Sequence, residues 1–240
     1  AVAGSMFSAS HNPPEHNGIK VYDKTGGQII PPLDEILLKE VMEEVTQIKK
    51  LPYEKAFSQG LIRSIGKEID DAYLSACTQF SLSNARGANI IYTPLHGCGQ
   101  TSVFPALKRL HFIVKLCPKT SHPSGQFENI TFNIPNPEVI QSFDTTLKYA
   151  KNTSADIILA SDPDADRIGA MVHHQDQWIY LNGNEIGALL TRYVIEKRKD
   201  KKNGMVIKTD VTTNLITEIC RLNRVQIIKD LLVGFKYIGE

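Results

Sequence analysis

A short apolar run, Asp156 to Ala160, opens directly into Ser161-Asp162-Pro163-Asp164-Ala165-Asp166-Arg167. An uninterrupted apolar segment of strand length bounded by turn formers reads as a strand buried on both faces. A strand of that kind needs a sheet around it and covering layers on each side, which points to an α/β architecture. Ligands in such sheets collect beyond the carboxyl ends of the strands, where this acidic loop falls. Aspartates spaced by two point to one side of an extended chain, and Pro163 biases Asp162 away from helix. Carboxylates crowded in this way repel unless a cation binds or some stay protonated. Hard oxygen donors suit magnesium or calcium. An EF-hand loop needs Gly at its sixth position and Glu at its twelfth. Counted from Asp162 those positions hold Arg167 and His173, which excludes it. An aspartate that attacks phosphorus remains compatible with the local pattern. Arg167 beside the acidic group suits a phosphate oxygen.

The rest of the chain supplies the alternation that such a sheet requires. Strands are expected at Gly18–Asp23, Ala88–Thr93, His111–Leu116 and Asp156–Ala160, with a hairpin over Ile168–His173 and Gln177–Leu181. Further strands are expected at Gly204–Lys208 and Val225–Ile228. Helices are expected at Leu33–Lys50, Ile69–Phe80, Ser102–Leu110, Asp144–Ala150, Asn184–Ile195 and Asn214–Leu222. The expected fold is α/β with a largely parallel sheet, in three segments, 1–82, 83–181 and 182–240.

With 240 residues there is room for more than one compact unit. The formal net charge of +1 argues against a nucleic-acid binder, which would carry a basic excess. The one basic cluster, Lys197 to Lys202, reads as a solvated helix C-terminus. No apolar run is long enough to cross a bilayer, and no signal-peptide pattern is visible. The four cysteines lack metal spacing and read as reduced and mostly buried, so a cytoplasmic location is expected. Cys117 and His122 are conceivable ligands, but the sequence pairs neither with a partner.

Near the start, Ser8-Ala9-Ser10-His11-Asn12-Pro13 precedes the alternating strand that carries Lys20 on its polar face. A nucleophilic Ser10 beside His11 is one reading; an ordinary polar turn is the other. Lys20 is an acid/base candidate if desolvation lowers its pKa.

Together these segments resemble the α-D-phosphohexomutases. The family pattern Thr-Ala-Ser-His-Asn-Pro followed by Asn-Gly-x-Lys is similar to Ser8–Pro13 and Asn17–Lys20, with Ser8 in place of Thr. Asp162–Arg167 resembles the family metal loop in its phosphoglucomutase/phosphopentomutase form. Pro94-Leu95-His96-Gly97, Pro135-Asn136-Pro137-Glu138, Gly183-Asn184-Glu185 and Gly234-Phe235-Lys236-Tyr237-Ile238 follow in family order. The resemblance implies tandem phosphohexomutase-type α/β domains with mixed, largely parallel sheets. It implies that segment 1–82 is the C-terminal part of a first domain with the phosphoserine loop. Segment 83–181 would be a second domain with the metal loop, and 182–240 the N-terminal part of a third.

The same resemblance implies an isomerase that interconverts sugar 1-phosphates and 6-phosphates. Glucose is the first expectation, with mannose and pentose as alternatives. Ser10 would carry the phosphate, and Mg2+ would be held by Asp162, Asp164, Asp166 and Ser10. Lys20 and His11 would serve catalysis, Arg167 and Lys236 would bind phosphate or sugar, and His96 would be structural. A sugar 1,6-bisphosphate would prime Ser10 and form as intermediate. The expected partner is a sugar phosphate, with neither nucleic acid nor membrane. Full members have four domains, so the chain is expected to lack much of the first, the Glu-x-Ser-Gly recognition loop and the fourth. That leaves three other readings: a bisphosphate synthase, an aspartate-nucleophile phosphatase, or a truncated sugar-phosphate binder without turnover.

Overall fold

The computed structural model describes residues 1–198 and 204–239. The part of the basic cluster at 199–202 lies outside the described residues. The centre is a five-stranded mixed sheet built from β3 (Asn89–Thr93), β4 (Ile113–Leu116), β5 (Ile157–Ser161), β6 (Ile168–His174) and β7 (Gln177–Leu181), in the order β4-β3-β5-β6-β7. β3 pairs in parallel with both β4 and β5, while β5–β6 and β6–β7 are antiparallel. The hairpin expected over residues 168–181 is thus present, and it makes half of the ladders antiparallel.

Alternation explains the two covered faces. Ile91, Ile158, Ala160 and Met171 pack with Leu95 and Phe143 on one side. Ile90, Tyr92 and Val114 pack on the other against Val103, Phe104 and Leu107, which α4 (Val103–Arg109) supplies. α5 (Asp144–Ala150) lies on the first face, through Leu147, Tyr149 and Ala150. The chain leaves β3 toward β4 on one side and returns through β5 on the other. This reversal opens a crevice at the carboxyl ends of β3 and β5.

Ahead of this sheet, β1 (Gly4–Phe7) and β2 (Ile19–Tyr22) form an antiparallel pair in the register Gly4↔Tyr22 to Phe7↔Ile19. The sequence reading missed β1, which is too short and polar to show a period. α3 (Lys67–Thr78) falls where expected, but the helix expected over 33–50 does not run its length. α1 covers only Leu33–Lys39, a π-helical turn follows at Glu40–Glu44, and Val45 is extended. A separate helix, α2, spans Tyr53–Ser58. Neither α1 nor the π turn buries a residue, and Leu38 and Met42 stay exposed. An apolar stripe sustains a long helix only when it packs, and the described residues give this one nothing to pack on.

Beyond the central sheet, α6 (Gly183–Lys197) and α7 (Asn214–Asn223) share a core of Ala188, Ile195, Ile216 and Cys220. That core packs against Val206 and Ile227 of the parallel pair β8 (Met205–Thr209) and β9 (Gln226–Leu231). A four-residue α8 (Phe235–Ile238) follows, another element the sequence reading lacked. Of the four cysteines, only Cys117 and Cys220 are buried; Cys98 is exposed, which corrects the expectation that most are inside. Among the described residues no helix is long and apolar enough to cross a membrane.

Candidate active site

The loop after β5 sits at the crevice, and its conformation differs from the extended chain expected of it. The Ala165 amide donates to the Asp162 carbonyl at 3.0 Å, and Ala165 has a left-handed φ of 59°. The tight turn, not strand alternation, converges the three aspartates, and one carboxylate oxygen from each lies within 4.8 Å of the others. The turn is buttressed from behind. The Cys98 amide donates to the Pro163 carbonyl at 2.9 Å, and a Cβ on Gly97 would overlap Pro163 Cα. Pro94–Gly97 therefore forms the back wall of the acidic loop.

Asp162 is fully buried. Its Oδ1 accepts the Arg167 amide at 3.0 Å and its Oδ2 accepts the Ser10 hydroxyl at 2.8 Å. Burial, reinforced by the neighbouring Asp164 carboxylate, pushes the Asp162 pKa up to about 7. Burial also opposes ionisation of Asp164, but hydrogen bonds from Asp162 and Lys20 outweigh it and hold Asp164 below the ordinary carboxylate range. One oxygen, Asp164 Oδ1, is buried without any partner. A converged carboxylate group with an orphaned buried oxygen fits a hard divalent cation, which takes oxygen donors. Asp162, Asp164 and Asp166 thus form a possible metal-binding group.

Ser10 reaches this group across 152 residues of sequence. It occupies the loop between β1 and β2, with a left-handed φ of 55°. Its amide is held by Ser8 Oγ at 2.9 Å, and His11 Nδ1 lies 3.2 Å from its hydroxyl. The mouth of the loop is closed by the Ser8 amide donating to the Gly18 carbonyl at 3.1 Å. A Cβ on Gly18 would stand 2.8 Å from the Ser8 oxygen, so this close approach requires glycine. Burial and the nearby Arg167 lower the His11 pKa, which favours the neutral imidazole.

Lys20 projects from β2 onto the same carboxylates, with Nζ 2.9 Å from Asp164 Oδ2 and 3.2 Å from Asp166 Oδ2. The conditional expectation of a lowered Lys20 pKa is corrected here. Burial pulls the pKa down, but hydrogen bonds to Asp164 and Asp166 more than offset it, and the net shift is upward. Lys20 is a counter-charge to Asp164 and Asp166. Arg167 lies 3.5 Å from Glu138 of the Pro135–Glu138 segment, a long contact on an accessible side chain. Lys236 enters from α8 and pairs with Asp34 at 3.2 Å. Lys20, Asp164, Asp166, Arg167 and Lys236 all line one cleft of about 920 Å³.

Two sequence motifs have structural work of their own. Asn182 caps α6 by accepting from the Asn184 and Glu185 amides, and the Glu185 side chain returns to the Asn182 amide. Asn184 Oδ1 also accepts the Thr213 amide at 2.9 Å. His96 is buried, and its amide donates to the Thr120 carbonyl at 2.9 Å. The statement that nothing pairs His122 is corrected, because the fold brings it to His96 and Glu128. Separations of 26 and 6 residues on a loop carry no periodic signal that could have shown this.

This arrangement is an α/β scaffold with an acidic loop at a strand-order reversal and a serine hydroxyl held against it. Three family models match the chain in succession. They are described as phosphoglucomutase/phosphomannomutase alpha/beta/alpha domain I over residues 1–48, domain II over 71–175 and domain III over 182–240. The chain belongs to the phosphoglucomutase/phosphomannomutase family, the α-D-phosphohexomutases. A phosphoglucomutase of Staphylococcus saprophyticus is 33% identical, covering 99% of this chain and 44% of its own length. A phosphomannomutase of Mycoplasmoides pirum is 29% identical, with 98% and 43% covered. The crystal structure of a phosphoglucomutase/phosphomannomutase family protein from Burkholderia thailandensis superposes with a TM-score of 0.71 at 18% identity, covering 98% of this chain and 46% of that one. The chain spans less than half the length of the curated relatives it matches.

Proposed function

We propose that this chain carries the phosphoryl-transfer centre of a sugar-phosphate mutase, interconverting a sugar 1-phosphate and 6-phosphate in the cytoplasm. Segments 1–82, 83–181 and 182–240 would each contribute one wall of its cleft. The observation that carries the proposal is the 2.8 Å hydrogen bond from Ser10 to Asp162, which joins the two chemically suggestive loops of the sequence.

Ser10 is the phosphate carrier in this reading, alternately giving its phosphoryl group to a sugar hydroxyl and taking one back. A sugar bisphosphate forms between the two transfers and also primes the resting enzyme. Asp162, Asp164 and Asp166 would hold Mg2+ together with the phosphate on Ser10. Bound there, the ion would offset charge on the transferring phosphoryl oxygens. Arg167 and Lys236 present cationic groups to the phosphates across the cleft. Lys20, paired with Asp164 and Asp166 at the cleft, is the group placed to move the proton of the attacking hydroxyl. His11, with its pKa lowered, is a neutral partner for the Ser10 hydroxyl.

An aspartate nucleophile fits less well. Both Asp162 oxygens already accept hydrogen bonds, from the Arg167 amide and the Ser10 hydroxyl. The test is labelling of the intact protein with a sugar 1,6-bisphosphate carrying radioactive phosphate. Acid-stable label on Ser10 is expected; hydroxylamine-labile label on Asp162 would overturn the assignment.

A further inference from the structure

A second cluster lies behind the acidic loop. One ring nitrogen each from His96 and His122 and a carboxylate oxygen of Glu128 lie within 4.8 Å of one another. The two imidazoles meet edge to face with centroids 4.7 Å apart. His96 is only 3% exposed, and its Nδ1 lies 2.8 Å from the His122 carbonyl. A carbonyl only accepts, so this nitrogen carries the proton. His96 Nε2 is then a lone pair, and it is buried with no partner. A half-turn of the ring would put Cδ2 against the carbonyl and lose this bond, so the carbonyl selects the orientation with Nδ1 toward it and Nε2 free. A buried acceptor with nothing to accept is costly and calls for an explanation.

We propose that His96, His122 and Glu128 bind a divalent cation of the zinc class, separate from the aspartate group. Two imidazoles and one carboxylate are a donor set zinc accepts, with water in the fourth position. A histidine whose other nitrogen donates to a backbone carbonyl has the orientation such ligands adopt. His122 Nε2 stands 3.2 Å from Glu128 Oε1. That matches the edge of a tetrahedron whose metal bonds are about 2.0–2.1 Å long, roughly 3.3 Å. His122 and Glu128 are about half exposed and free to close on the fixed His96. The other Glu128 oxygen is steadied by the Ser124 hydroxyl at 2.6 Å. Since Gly97 and Cys98 pack against Pro163, a cation here clamps the turn that supports the acidic loop.

Cobalt(II) is the probe, because tetrahedral Co2+ absorbs visibly and octahedral Co2+ hardly does. The intact protein is titrated with Co2+ under saturating Mg2+, which occupies the aspartates. One equivalent with a tetrahedral spectrum, displaced by Zn2+, is expected. His122→Ala and Glu128→Gln change exposed side chains, and each should weaken binding at least tenfold with the circular dichroism unchanged. Asp164→Asn should leave the spectrum intact. The site is refuted by absence of the tetrahedral spectrum, by its persistence in both cluster variants, or by its loss in Asp164→Asn. The proposed function stands or falls separately, on the label at Ser10.

Discussion

The hydroxyl of Ser10 is the residue on which the functional reading turns. Its neighbours are a buried carboxylate, a histidine of lowered pKa and a lysine bridging two further aspartates. Ser10→Ala in the intact enzyme should reduce mutase turnover to background while the circular dichroism of the folded protein is retained, with a lowered thermal midpoint because Asp162 loses a buried hydrogen bond. Asp164→Asn removes a ligand whose second oxygen is orphaned, and should weaken Mg2+ binding by at least roughly tenfold in calorimetry. Glu128 offers a pH test of another kind. Hydrogen bonds from Ser124 first, and from its own backbone and His122, lower its pKa to about 2 from an ordinary 4.5. A depressed folded-state pKa stabilises fully above the unfolded value and loses that contribution as pH falls toward the folded one. Denaturation midpoints measured with chelator present should therefore fall between pH 4.5 and 2, and Glu128→Gln should make that limb slightly shallower, the lowered Asp23, Asp71 and Asp164 supplying the rest.

At the scale of elements, what positions the site is mostly backbone in close approach. Gly97→Ala would drive a methyl group into Pro163. Overpacking of this kind costs about 1–3 kcal/mol, and here it should also displace the acidic loop. Lower stability together with weaker Mg2+ binding is the expected pair of results. Were stability to fall with Mg2+ binding unchanged, the buttress would be irrelevant to the loop. The Asn182 cap is more local. Asn182→Ala should cost about 1 kcal/mol in denaturant unfolding, the usual value of an N-cap. The strands and helices around the central sheet were legible in the sequence because each buries a periodic apolar face. The 33–50 helix was misjudged for the complementary reason: its stripe is present, but the described residues do not cover it. β1 was invisible because a four-residue strand held by one partner needs no apolar pattern.

Across the whole molecule, the cleft is assembled from distant stretches of chain. Lys20 comes from β2, the aspartates and Arg167 from the loop after β5, and Lys236 from α8. Lys236→Ala in the intact enzyme should raise KM for the sugar phosphate about tenfold with a smaller change in kcat, the scale of one charge-assisted hydrogen bond. Equal loss in kcat alone would place Lys236 in the transfer step. The sequence by itself determined the α/β class, the buried strand behind the acidic loop and the donor chemistry of Asp162, Asp164 and Asp166. These are local consequences of hydrophobic period and residue type. Only the tertiary structure decided that Ser10 faces Asp162, that the acidic loop converges through a left-handed turn, that Lys20 is raised and not lowered, and that His96 meets His122 and Glu128. Most of these depend on groups brought together by packing and chain reversal, and the contacts of Ser10 with Asp162, Lys20 with Asp164 and His96 with His122 join residues 152, 144 and 26 apart, which leave no trace in sequence spacing.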